Sequence, residues 1–138
     1  MPPSKQDVKI SIAVAGLGRM GKRHVRTLLK RVPAAQVVAV CSAEPNELEW
    51  AQNEYKDWGI KVYDSYDEMI QHSGLQAVWV STSTDVHAPQ TIAAIKKGLN
   101  VLCEKPLSTE IEEVRDRLSL HHLHPSGVTR SLYFNKYV

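Results

Sequence analysis

A chain of 138 residues, 43% hydrophobic and 23% charged, has the composition of one globular domain with a sizeable core. Its formal charge of +2, with no long run of Lys and Arg, argues against nucleic acid or an anionic membrane as partner, because both demand a concentrated basic surface. The longest apolar stretch, around Ile12–Leu17, is far too short to span a bilayer, and the opening MPPSKQD lacks the apolar segment of a signal peptide, so a soluble cytoplasmic protein is expected.

Residues 1–8 are polar and read as a flexible N-terminus. Lys9–Ala15, continuous and β-branched, is the first predicted strand. Val25, Leu28, Leu29 and Val32 then share one helical face, and Pro33 stops that helix. Gln36–Cys41 is a second strand. Pro45–Trp58 reads as a helix, with Pro45 in the first turn and Gly59 as its C-cap. Ile60–Tyr63 is a short third strand, and Ser65 with Glu68 forms a capping box for a brief helix carrying Met69 and Ile70. Gln76–Ser81 is a fourth strand. Asp85–Lys97 is a helix with Asp85 as N-cap, Ala88, Ile92 and Ile95 buried, and Gly98 as its end. Asn100–Cys103 is a fifth strand, and Thr109 with Glu112 caps a helix bearing Ile111, Val114 and Leu118.

Strands that are apolar throughout, alternating with amphipathic helices, predict an α/β, doubly wound parallel sheet covered on both faces, over residues 9–120. Residues 121–138 form an atypical tail in which Val128–Tyr133 can pair as an edge strand. His121, His122 and His124 there read as solvated side chains and no metal site is expected. Cys41 and Cys103 lie inside strand runs, without CxxC spacing, and read as small buried hydrophobes.

Between the first strand and first helix stands Gly16-Leu17-Gly18-Arg19-Met20-Gly21, a G-x-G-x-x-G pattern in the context where it binds a dinucleotide. Gly16 permits the tight turn, Gly18 lets backbone approach a pyrophosphate, and Gly21 lets the helix pack closely. The first-turn N–H groups, from Arg19 and Met20 onward, attract the phosphates. At the end of strand two, where an NAD site carries Asp or Glu for the ribose 2′-OH, this chain has Ser42. An uncharged donor, with Arg19 nearby, slightly favours NADP over NAD; Glu44 can instead bend back to a ribose hydroxyl, and Ser42 can equally cap the following helix.

Ligands in this architecture bind at the carboxyl ends of the strands. Strand four ends there in Ser81 and Thr82, which can meet cofactor ribose, and His87 follows in the first helical turn as a cofactor contact. Strand five ends in Glu104-Lys105-Pro106, where Lys105 can orient a substrate hydroxyl and favour its deprotonated form, and Pro106 can turn the chain through a cis bond.

GLGRMGKRH, VVAVCS, VYDSYDEM, STSTDVHAPQTIAAIKKG and NVLCEKPLS follow one another in a way that resembles the N-terminal domain of the glucose–fructose oxidoreductase, inositol dehydrogenase and rhizopine-catabolism (Gfo/Idh/MocA) family, from Lys9 to Leu120. The likeness is greatest to inositol 2-dehydrogenase-like members. It implies a Rossmann-like NAD(P) domain and hydride transfer with a CH–OH group of a sugar or polyol. It also implies that Lys105 lies beside substrate and nicotinamide, with Glu104 as its neighbour, and that Gly16, Gly18 and Gly21 form the cofactor loop. The family's second, α+β domain carries most of the substrate pocket, the catalytic histidine and commonly the oligomer interface. That domain is not expected in this chain, so cofactor binding with little turnover is expected of it alone. The alternative is a non-catalytic dinucleotide-sensing or interaction module.

Overall fold

The computed structural model describes residues 8–110 together with Glu112 and Arg115. The predicted last helix through Ile111, Val114 and Leu118, and the tail from His121, lie outside the described residues. Five strands form one sheet: β1 (Ile10–Ala15), β2 (Ala35–Cys41), β3 (Lys61–Tyr63), β4 (Ala77–Val80) and β5 (Asn100–Cys103). Every pairing is parallel, in the order β3-β2-β1-β4-β5. The chain winds outward from β1 through β2 to β3, then returns to the other side of β1 for β4 and β5. The winding direction therefore reverses between β1 and β4, the crevice where such sheets hold ligands.

The helices are α1 (Arg19–Arg31), α2 (Pro45–Glu54), α3 (Tyr66–Met69) and α4 (Thr84–Lys96). Both faces of the sheet are covered, which is why its strands are apolar without alternation. Val14 and Val40 pack with Val25 and Leu28 of α1 and Ala51 of α2 on one face. Ala13, Ala15, Val78, Val80, Val101 and Cys103 pack with Ala94 and Ile95 of α4 on the other. The β1–β2 register shifts between Ile12 and Ala13, so Val38 is an extra residue in β2. Val38 and Ala39 thus face the same core although they are consecutive, a parity change that only a bulge allows.

Several boundaries differ from the expected ones. The helix after β2 ends at Glu54, and Lys56–Trp58 is a separate 3-10 turn closed by Gly59, because Tyr55 leaves helical geometry as its ring is buried. Val32 is the C-cap of α1 and is exposed, beyond the buried face. Ser83, with extended backbone, is the N-cap of α4, so Asp85 falls within the first turn. The buried face of α4 is His87, Ala88, Thr91, Ala94 and Ile95, rotated from the expected one so that Ile92 is only partly covered. The capping box is present: Ser65 Oγ accepts from the Glu68 N–H at 3.3 Å.

Cations that look scattered along the chain are gathered by α1. Arg19, Lys22, Arg23, Arg26, Lys30 and Arg31 line one groove, and the helix's first turn carries no acid. The absence of a long basic run in the sequence therefore did not reveal how concentrated the positive charge is on this helix.

Candidate functional site

The carboxyl ends of four strands are tied into one rim. Gly16 N–H donates to Cys41 O at 2.9 Å, joining β1 to β2. Ser81 donates its N–H to Ala15 O at 2.8 Å and its hydroxyl to the same oxygen at 2.9 Å, joining β4 to β1. Glu104 N–H donates to Val80 O at 2.8 Å, joining β5 to β4. All eleven residues expected at the site lie along this rim or in the helix turns that open from it.

The three glycines of the loop do three separate things. Gly16 has φ +88°, a left-handed conformation, and a Cβ there would lie 2.5 Å from Ser81 O. A Cβ on Gly21 would lie 1.7 Å from Gly16 O and 3.0 Å from Ser81 Oγ, so α1 sits directly against the loop and the end of β4. Gly18 is different: its φ of −64° suits any residue, and the nearest atom to an added Cβ is Glu47 Oε1, 3.9 Å away. The fold thus needs Gly16 and Gly21, whereas Gly18 leaves open space above the backbone. Gly18 is also the N-cap of α1 and offers no side-chain cap. The first-turn N–H groups of α1 therefore face that space without a capping oxygen, the arrangement that receives an anion. A dinucleotide pyrophosphate fits this cradle. Arg19 and Met20, in the same turn, are exposed.

Ser42 does not present a free hydroxyl. It is 6% exposed, accepts from Glu44 N–H at 3.0 Å, and donates to Glu47 Oε2 at 2.5 Å. Its hydroxyl proton points at Glu47 Oε2, so the expected donation to a 2′-phosphate would require that bond to break. Ser42 is not the helix cap either; Glu44, exposed, is the N-cap of α2 by its backbone. Ser81 Oγ and Thr82 Oγ1 are similarly committed as donors, Thr82 to Gln90 Oε1 at 2.6 Å, so toward a ribose they can only accept.

His87, expected as a cofactor contact, is packed into the rim itself. It is 2% exposed, with Nδ1 2.8 Å from Pro106 O and Nε2 2.7 Å from Thr82 O. Both ring nitrogens are engaged, and the ring pins the turn after β5 to the loop after β4. The Lys105–Pro106 peptide is cis. Lys105 is exposed at the rim, and among the described residues no hydrogen bond or ion pair engages it.

Glu104 faces inward. Its Oε1 is 2.5 Å from Nε2 of His24, whose ring stacks on Trp79 with centroids 4.2 Å apart. A residue one turn into α1 thereby holds the acid beside Lys105. Sequence reasoning assigned no role to His24 or Glu47. The available signals were a histidine three residues after the last loop glycine and an acid in the first turn after Pro45, and neither pattern is specific alone. Cys41 and Cys103 are buried and form no disulfide, and burial pushes the Cys41 thiol up to about 12. Among the described residues no group of three or more His, Cys, Asp or Glu could hold a metal ion, and no helix is long and apolar enough to cross a membrane.

Known proteins share this fold. Inositol 2-dehydrogenase 2 of Saccharopolyspora erythraea is 35% identical over 103 residues, 75% of this chain and 30% of that protein. The crystal structure of myo-inositol 2-dehydrogenase from Lactobacillus plantarum superposes with a TM-score of 0.80 at 36% identity, over 90% of this chain and 36% of the other. The structure of scyllo-inositol dehydrogenase from Lactobacillus casei with bound NAD(H) and scyllo-inositol gives 0.77 at 31% identity, over 86% and 34%. The chain spans about a third of the length of each of these relatives. Residues 10–124 match the model of the oxidoreductase family with an NAD-binding Rossmann fold, and the chain belongs to that family, Gfo/Idh/MocA.

Proposed function

We propose that this chain is the dinucleotide-binding domain of an oxidoreductase that acts on a CH–OH group of a polyol, inositol-like in kind. The observation that carries this reading is the open cradle at Gly18, before the uncapped start of α1, on the same rim as the exposed Lys105. Gly18 and the N–H groups of Arg19 and Met20 would hold the pyrophosphate. When bound, the nicotinamide supplies the hydride acceptor for the C–H bond that breaks. The Lys105 ammonium would donate a hydrogen bond to the substrate hydroxyl and favour its deprotonated form, the O–H proton passing to water as the hydride passes to the nicotinamide and the carbonyl forms. Glu104 and His24 support the strand exit from which Lys105 projects, and His87 fixes the turn that follows. The bound NAD(H) and scyllo-inositol of the Lactobacillus casei relative support the same ligand classes here.

For the chain alone the expected activity is cofactor binding with little turnover, since among the described residues Lys105 has no acid–base partner in contact and is open to water. Two buried cysteines outside any disulfide suit a reducing cytoplasm. The test is titration of the purified chain with NADH, followed by steady-state assays with NAD+ and myo- or scyllo-inositol. Saturable NADH binding with slow or absent inositol oxidation is the expected result. Failure to bind either NADH or NADPH overturns the reading.

A further inference from the structure

We propose that Glu47, in the first turn of α2, is the residue that reads the adenosine ribose and selects NAD over NADP. This rests on the dinucleotide reading above. Sites of this kind ordinarily take the ribose 2′-OH with an acid at the end of the second strand. Here the strand ends in Ser42, yet Ser42 Oγ holds the carboxylate of Glu47 beside that strand end. Glu47 Oε1 is the nearest atom to the open side of Gly18, 3.9 Å from an added Cβ. Its other oxygen, Oε2, accepts from Ser42 Oγ at 2.5 Å, and Ser42 is itself buried and held by the Glu44 N–H at 3.0 Å.

The geometry separates two duties. Ser42 is a positioning residue: its only proton fixes one carboxylate oxygen, and it has none left for a phosphate. Glu47 then presents Oε1 toward the glycine loop, as an acceptor for a ribose hydroxyl. A 2′-phosphate in that place would bring two anions together, and juxtaposed like charges suppress the wrong ligand strongly. The opposing feature is the cationic face of α1. Arg19 is exposed at its start, and Lys22 Nζ lies 4.2 Å above the ring of Trp50, one turn beyond Glu47. If these cations captured a 2′-phosphate, the cofactor preference would be the reverse of the one proposed.

The experiment is titration of the full chain with NADH, NADPH and the 2′-deoxyadenosine analogue of NADH, read by quenching of tryptophan fluorescence. The unaltered chain is expected to bind NADH about 10- to 100-fold more tightly than NADPH, and to lose on the order of tenfold for the 2′-deoxy analogue. Glu47→Gln is expected to bring the NADH and NADPH affinities to within about threefold of each other. Ser42→Ala, which leaves the carboxylate but frees it to swing, is expected to narrow the ratio less. A merely structural role for Glu47 would weaken both dinucleotides alike and leave their ratio unchanged. Tighter binding of NADPH to the unaltered chain, no loss with the 2′-deoxy analogue, or an unchanged ratio in Glu47→Gln would each overturn the assignment while leaving the dinucleotide site standing. Absence of binding by every dinucleotide would overturn the site and this inference together. The 2′-deoxy comparison uses the unaltered chain, so it decides even if a variant fails to fold.

Discussion

Replacing each of two glycines by alanine separates what the glycine loop does for the fold from what it does for a ligand. In Gly21→Ala the new methyl would sit 1.7 Å from Gly16 O, and carbon and oxygen ordinarily touch at roughly 3.3 Å, so α1 must retreat by about 1.6 Å. The obstacles are backbone atoms and the Ser81 hydroxyl, which is itself bonded to Ala15 O, so no flexible side chain can swing aside. Retreat pulls Val25 and Leu28 away from Val14 and Val40 in the core. Overpacking of this kind costs about 3 kcal/mol or more, offset by about 1 kcal/mol from alanine's better helix propensity. The net loss of about 2 kcal/mol corresponds to a fall in Tm of about 8 °C for a domain of this size. Gly18→Ala meets nothing closer than 3.9 Å at an ordinary φ of −64°, so its stability change stays within about 0.5 kcal/mol. Its methyl occupies the space proposed for the pyrophosphate, so NADH affinity falls about tenfold or more. Thermal melts followed by circular dichroism, beside NADH titration, check both. A Gly21→Ala protein that melts with the unaltered chain would refute the packing argument. A Gly18→Ala protein that keeps full NADH affinity would refute the cradle.

Three further outcomes follow from individual contacts. His24→Phe keeps a ring against Trp79 but removes the partner of Glu104, and urea unfolding is expected to show a loss of about 1–2 kcal/mol; an unchanged midpoint would mean the pair adds nothing. His87→Phe removes the one ring N–H that a neutral imidazole can donate to Thr82 O or Pro106 O inside a buried site, for an expected loss of about 1–2 kcal/mol in the same assay, and an unchanged midpoint would contradict the clamp. The Cys41 thiol is raised from its usual 9.0 to about 12, so the unfolded chain ionises first as pH rises. The folded state therefore keeps this contribution below pH 9 and loses it between pH 9 and 12, by about 1.4 kcal/mol per pH unit. Cys41→Ala is expected to show a shallower alkaline decline than the unaltered chain, and parallel curves would be the contrary result.

The order of strands and helices was legible because local physics writes it. An apolar run such as KISIAVA has no polar face to leave in water, and a five-strand parallel sheet covered on both sides is the arrangement that buries such runs. The glycine loop was legible for a similar reason, since spacing and context are both local. The rim of carboxyl ends follows from topology once the strands are parallel, so Gly16, Ser81 and Glu104 were found together although they are far apart in the chain. What the sequence could not state was which hydroxyl keeps its proton free. Ser42, Ser81 and Thr82 all look available as letters, yet each donates within the protein, to Glu47, Ala15 and Gln90.

The bulge at Val38 also has no signature in the run QVVAVC, because it depends on how β2 meets β1. By itself the sequence determined the order of the five strands, their parallel winding and the glycine loop after β1, since these depend on neighbours along the chain. Tertiary structure alone decided that His87 is buried against Thr82 O and Pro106 O, that His24 meets Glu104, that six cations line one groove along α1, and that the Glu47 carboxylate accepts from Ser42. Each of those outcomes depends on a distance between side chains carried by different elements, and such distances exist only after the sheet and its helices have packed.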